Sequence, residues 1–185
     1  KSTFYWFSEK RQYEFTHRRI VNKYSLIQNS KFNMALPSLY DKSVAADIIS
    51  RINKLTPETQ PKWGKMDVAR MLAHSNVTYE YVFDERNDHP NFIMKFILKT
   101  FIKNKVVTET PYPQNGPTAP AFIIADARDF EKEKSRLIQY INNVAAKGAS
   151  YFEGKESSSF GVLTAVEWNN MMYKHLNHHL TQFGV

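Results

Sequence analysis

The sequence predicts an all-α fold built as a four-helix bundle, and three observations predict it. Four long segments repeat apolar residues at the spacing of one helix face. Their ends carry helix signals: Asp41 ahead of the first, a Thr164-x-x-Glu167 capping box ahead of the last, and Gly148 and Gly184 as stops. The one long irregular stretch, residues 109–121, is followed by a return of the same core pattern. It therefore reads as a loop within one domain and not as a linker.

Composition bounds the function classes. A chain of 185 residues with 42% hydrophobic and 14% aromatic residues can bury a proper core. There are no cysteines, so disulfides, thiolate metal sites and a cysteine nucleophile are excluded, and any metal must be held by His, Asp or Glu. No apolar run approaches the roughly 18 residues of a spanning helix, and the N-terminus lacks the order of a signal peptide, so a cytoplasmic location is expected. The net charge of +7 is unevenly placed. Residues 1–33 hold seven Lys/Arg and two Glu, a net of +5, which leaves 18 basic and 16 acidic residues in 34–185, a net of +2. A nucleic-acid footprint needs basic residues clustered on the folded domain, and that pattern is missing, so no nucleic-acid partner is expected.

Residues 1–33 show neither helical nor alternating periodicity. They are expected to form a poorly ordered extension with a surface His17, for which translation from upstream of a start at Met34 is one origin. The alternative is an arm that packs on the domain or binds an acidic partner. Residues 34–185 are the bundle domain. Its first helix follows Asp41, with Val44, Ala45, Ile48, Ile49, Ile52 and Leu55 on one face, and ends at Thr56-Pro57. The second is expected from about Lys65 to Arg86, with Met66, Ala69, Ala73, Val77 and Tyr81 on one face and His74 at its edge. Residues 91–104 form an extra short helix, apolar almost all round, with Lys95, Lys99 and Lys103 one turn apart. A membrane-surface helix would look like this. A short buried helix with a solvated lysine edge is the reading adopted, so no membrane contact is expected. His89, in a turn before Pro90, is not expected to be a ligand. The loop 109–121 carries Pro111, Pro113, Pro117 and Pro120, and its length suggests a lid over a site. The third bundle helix starts near Asp126 or Asp129 and runs to Lys147, burying Phe130, Leu137, Ile138, Ile141, Val144 and Ala145. Glu131, Lys132, Glu133, Lys134 and Arg136 are expected on its solvated face. A plain loop, residues 150–161, leads to the last helix.

The chemistry lies on that last helix. Trp168, Met171, Met172, His175, His179 and Gln182 fall on one side at about 100° per residue. Residues four apart stack on one helix face, so His175 and His179 can reach one metal ion. His74, on another apolar face, is the third candidate ligand. Three neutral imidazoles leave positions open on a divalent ion, the arrangement of a catalytic site, and Zn²⁺ and Ni²⁺ both suit imidazole. His178, three residues from His175, is the alternative ligand to His179, but it points about 60° away from the stripe centre and is expected at the pocket rim or behind a ligand. Glu167, Asn170 and Gln182 are within reach to orient the ligands. The bland alternative leaves these imidazoles exposed to solvent or hydrogen-bonded inside the bundle.

Two stretches carry a family resemblance. Trp63-Gly64-Lys65-Met66-x-x-x-x-Met71-Leu72-x-His74, with FGVLTAVEWNNMMYKHLNHHLTQFG over residues 160–184, resembles the DinB-like superfamily of metal-binding four-helix bundles, and within it an uncharacterised bacterial domain family. The resemblance covers residues 34–185. It implies a divalent metal held by His74, His175 and His179. It also implies that relatives include transferases and isomerases using a low-molecular-weight thiol such as mycothiol, bacillithiol or glutathione, and that a homodimer is possible. The expected function is a metal-dependent enzyme, either a thiol S-transferase or a metal-assisted hydrolase, acting on a small-molecule substrate. The competing expectation is a non-catalytic metal-binding or stress-related interaction module.

Overall fold

Side-chain caps set where the long helices begin in the computed structural model, which describes residues 35–83, 85, 86 and 88–185. The expectations for residues 1–33, His17 included, lie outside the described residues. Helix α1, Lys42–Asn53, starts where Asp41 accepts from the Ser43 amide at 2.8 Å. Helix α2 is Val68–Val82, shorter at both ends than the pattern predicts. Asp67 sits in extended geometry and accepts from the Arg70 amide at 2.8 Å, which fixes the start three residues late. Helix α5, Phe130–Lys147, is capped by Asp129 and stopped by Gly148 at φ +69°, a backbone angle that suits glycine. Helix α7, Ala165–Gln182, shows both bonds of the Thr164–Glu167 capping box.

The chain among the described residues is mostly helical. Helix α2 lies against α5 and α7, and α1 packs on the same two helices. Ile48, Ile52, Leu72, Val77, Leu137, Ile141, Trp168, Met172 and Leu176 are buried between them. The segment before α1 is tied down by polar bonds: the Leu39 amide donates to Asn169 Oδ1 at 2.8 Å, and Asn169 Nδ2 donates to the Pro37 carbonyl at 3.2 Å. Residues Ala35–Val185 form one compact unit. No described helix is long and apolar enough to cross a membrane.

Three expectations are corrected. The stretch after Gly148 is not a plain loop. It holds a short helix α6, Ala149–Phe152, and a two-residue antiparallel ladder, β1 Glu156–Ser157 with β2 Gly161–Val162. Glu133 is not on the solvated face. It is buried, because its carboxylate accepts from Asn76 Nδ2 at 2.8 Å and from Arg136 Nη1 at 3.0 Å. The third correction is the largest. Residues 91–104 were expected as a short buried helix. Instead, helix runs from Phe92 to Val107, as α3 Phe92–Ile97, a π turn Leu98–Ile102 and α4 Lys103–Val107. Phe92 is 83% exposed, Phe96 66% and Phe101 64%. The four long helices already cover one another's apolar faces, so this segment is held by the Lys95–Glu156 pair and buries a side chain fully only at its far end. There Val107 is buried, and its carbonyl accepts from Asn170 Nδ2 at 3.0 Å.

Candidate metal centre

Helices α2 and α7 bring three imidazoles to one point. His74 and His179 are buried and His175 is half-buried. His74 Nε2 lies 2.9 Å from His175 Nε2, and His175 Nε2 lies 3.2 Å from His179 Nε2. A nitrogen from each of the three lies within 4.8 Å of the others. His175 and His179 lie on one face because they are four apart on α7, and His74 reaches them across the α2–α7 contact.

The far side of each ring is also held. His74 Nδ1 donates to the Phe122 carbonyl at 2.8 Å, and His179 Nδ1 donates to Gln182 Oε1 at 2.8 Å. Gln182 is oriented in turn, since its Nε2 donates to the Trp63 carbonyl at 2.7 Å. Both Nε2 atoms of His74 and His179 are therefore lone-pair atoms in the neutral rings. His175 Nδ1 pairs with the Thr78 hydroxyl at 2.9 Å. If Thr78 accepts, all three Nε2 atoms present lone pairs to one another. If Thr78 donates, one proton on His175 Nε2 serves two acceptors. Either way the cluster holds more lone pairs than protons, which is what a cation relieves. Nitrogen ligands about 2.0–2.1 Å from a tetrahedral zinc would be about 3.3 Å apart, close to the spacing present. The donor set therefore fits a divalent ion.

Electrostatics keep the rings neutral. Burial lowers the His179 pKa to about 3; His74 adds to this and the Gln182 bond opposes it. Burial, then His179, His74 and His178, holds His175 well below the usual imidazole value. Burial likewise lowers His74, against the opposing bond to the Phe122 carbonyl. An uncharged imidazole is the form that binds a metal.

A collar of rings surrounds the cluster. Phe122 packs edge-on against His74 and His175, with ring centroids 5.6 and 6.1 Å away. Tyr112 stands 6.4 Å from His175 and 5.9 Å from His178. Both rings belong to the segment after α4: Tyr112 lies in the proline-rich loop and Phe122 just after it. Lys174 pins that segment: its buried ammonium donates to the Lys105 and Thr108 carbonyls at 2.9 and 2.6 Å and lies 4.6 Å over the Tyr112 ring. Burial lowers the Lys174 pKa to about 8. His178 is half-buried at the rim, between Tyr112, His179 and Trp63, as its direction on the helix suggests. His89 is outside the cluster.

Of the three residues expected to orient the ligands, only Gln182 does so. Glu167 caps α7 and pairs with Lys103 at 2.8 Å, and Asn170 binds the Val107 carbonyl. Thr78 was missed, although it lies four residues after His74 and so on the same side of α2. The Phe122 carbonyl carries no side-chain signal to read.

A protein family of unknown function, DUF1569, matches residues 38–184. The chain belongs to that family. No curated protein and no solved structure matches the chain. The DUF1569 match runs from before α1 to the end of α7, so His74, His175 and His179 and the loop above them all lie within the family's own span.

Proposed function

We propose that this DUF1569 chain is a DinB-like four-helix bundle that uses His74, His175 and His179 to hold a divalent metal, zinc or nickel, in a metal-dependent enzyme. The observation that carries the reading is the convergence of three Nε2 atoms whose partner nitrogens are each already bonded. The chain's residues then have separate roles. His74 and His179 are held in the tautomer that turns Nε2 inward by the Phe122 carbonyl and Gln182, and Thr78 holds His175. Phe122 and Tyr112 exclude bulk water from the open side, and Lys174 keeps Tyr112 in place. His178 stands at the rim, where an entering small molecule passes it. When bound, a divalent ion supplies a Lewis acid that lowers the pKa of a coordinated water or thiol. Thiol transfer to an electrophilic small molecule, or hydrolysis, is the reaction class this suits. A low-molecular-weight thiol of the bacillithiol or glutathione type is the proposed co-substrate.

The closed collar supports a second reading. With Tyr112 and Phe122 against the imidazoles, the same centre serves a metal-stabilised interaction module that carries out no reaction. The two readings differ in what a thiol does. An enzyme of the proposed type raises its melting temperature with bacillithiol or glutathione only when metal is loaded. A module shows the metal-induced rise alone, and that result removes the thiol chemistry.

A further inference from the structure

The helix Phe92–Val107 has an apolar face turned away from the rest of the fold. Phe92, Ile93, Phe96, Ile97 and Phe101 are all exposed, while Leu98, Ile102 and Val106 turn partly inward and Val107 is buried. Spacing and backbone both contribute to this face. Phe92, Phe96 and Thr100 recur every four residues, as do Ile93, Ile97 and Phe101. A four-residue repeat drifts around a helix of about 3.6 residues per turn. The π turn Leu98–Ile102 is wider, advances less per residue, and so offsets that drift, keeping Phe101 on the same side as the residues before it. Contiguous exposed apolar surface of this kind marks an interaction site and not scattered surface residues.

Charge decides among the occupants. Residues 91–108 contain Lys95, Lys99, Lys103 and Lys105 and no Asp or Glu. Lys95 pairs with Glu156 at 2.9 Å and Lys103 with Glu167 at 2.8 Å, which anchors the helix to β1 and α7. Lys99 and Lys105 are exposed and pair with no carboxylate among the described residues. A second copy docked face to face would set these lysines against their own counterparts, with no acidic residue of either helix to offset them. An anionic lipid surface meets both features at once. The rings enter the headgroup and acyl boundary, and the lysines reach the lipid phosphates.

We propose that the helix Phe92–Val107 is a peripheral docking surface for anionic bilayers, with Phe92, Phe96, Ile97 and Phe101 inserted and Lys99 and Lys105 over the phosphates. This reverses the expectation of no membrane contact, which came from assigning the helix to the core. It does not depend on the metal centre.

The test is co-sedimentation of the full chain with vesicles rich in phosphatidylglycerol and with vesicles of phosphatidylcholine alone. Wild type binds the anionic vesicles, and salt at about 1 M, where charge is screened beyond about 3 Å, weakens the binding. The double variant Phe96→Ser/Phe101→Ser lowers the partition coefficient by at least about tenfold, since apolar burial scales the affinity. Lys99→Glu/Lys105→Glu abolishes the preference for anionic lipid. Unchanged helical content and an unchanged melting temperature in both variants show that the fold survives. Wild type that stays in the supernatant overturns the proposal. So does equal binding to both vesicle types by wild type and the lysine variant. A dimer in solution that dissociates in the serine variant, without vesicle binding by wild type, assigns the face to a second copy instead.

Discussion

At the residue scale the account rests on how each imidazole is oriented. Gln182 links two parts of the chain: it accepts from His179 and donates to the Trp63 carbonyl. Gly64 makes that possible. It sits at φ +83°, and a Cβ there would come within 2.7 Å of Gln182 Nε2. Replacing Gln182 with Ala frees the His179 ring to turn. Metal affinity, measured by chelator competition, is expected to fall by roughly tenfold to a hundredfold; an unchanged affinity would show that the amide holds nothing. The burial of His179 also makes a pH prediction for the metal-free protein. The folded pKa is about 3 and the unfolded reference about 6.5, so the unfolded chain binds the extra proton between those values. Stability is therefore present above pH 6.5 or so and is lost as pH falls towards 3. Between pH 6.5 and 5 this one group removes about 1.6 kcal/mol, the slope rising to about 1.4 kcal/mol per pH unit below the unfolded pKa. Denaturant melts of metal-free wild type and His179→Phe check it: the variant's stability changes less across that window, and parallel slopes for the two would count against a buried neutral ring. The site was legible in part at this scale. The His175-x-x-x-His179 spacing and the Gln182 offset follow from helix periodicity alone. The same periodicity puts Thr78 on the His74 side of α2, but its pairing with His175 depends on the α2–α7 contact, and the Phe122 carbonyl depends on the path of a loop.

At the element scale, most caps and stops were readable, and so was the buried face of α1 and of α5, but the burial of residues 92–107 and of Glu133 was not. Asp41, Asp129, Gly148 and the Thr164–Glu167 box act locally, so sequence shows them. Asp67 acts locally too and sets the start of α2 at Val68, three residues after the expected one. The helix Phe92–Val107 was misassigned for a different reason. An apolar stripe shows that a face avoids water, not whether its neighbours leave room for it. Glu133 erred in the opposite direction, since a run of charges hid the one carboxylate that Asn76 and Arg136 draw inside. Tyr79 of α2 gives a sharper test of the core. Its ring is fully buried and stacks on Tyr140 with centroids 5.5 Å apart, yet its hydroxyl has no hydrogen-bond partner among the described residues. Burying an unpaired hydroxyl costs roughly 1–3 kcal/mol, so Tyr79→Phe is expected to be neutral or more stable by urea denaturation. A clear loss of stability would mean that the hydroxyl is bonded in solution.

At the scale of the whole molecule, one helix contact and one loop assemble the centre. Residues 74 and 175 are about a hundred positions apart in sequence, and the packing of α2 on α7 is what joins them. The loop between α4 and α5 then closes the open side with Tyr112 and Phe122. The DUF1569 span contains every one of these parts. The central claim is that the three imidazoles together hold one divalent ion, and metal content measures it most directly. Protein purified without an affinity tag and supplied with zinc is analysed for bound metal, alongside His175→Ala. The account predicts one ion per wild-type chain and none in the variant, with helical content retained in both. A variant that keeps its metal, or a wild type that takes up none, contradicts it.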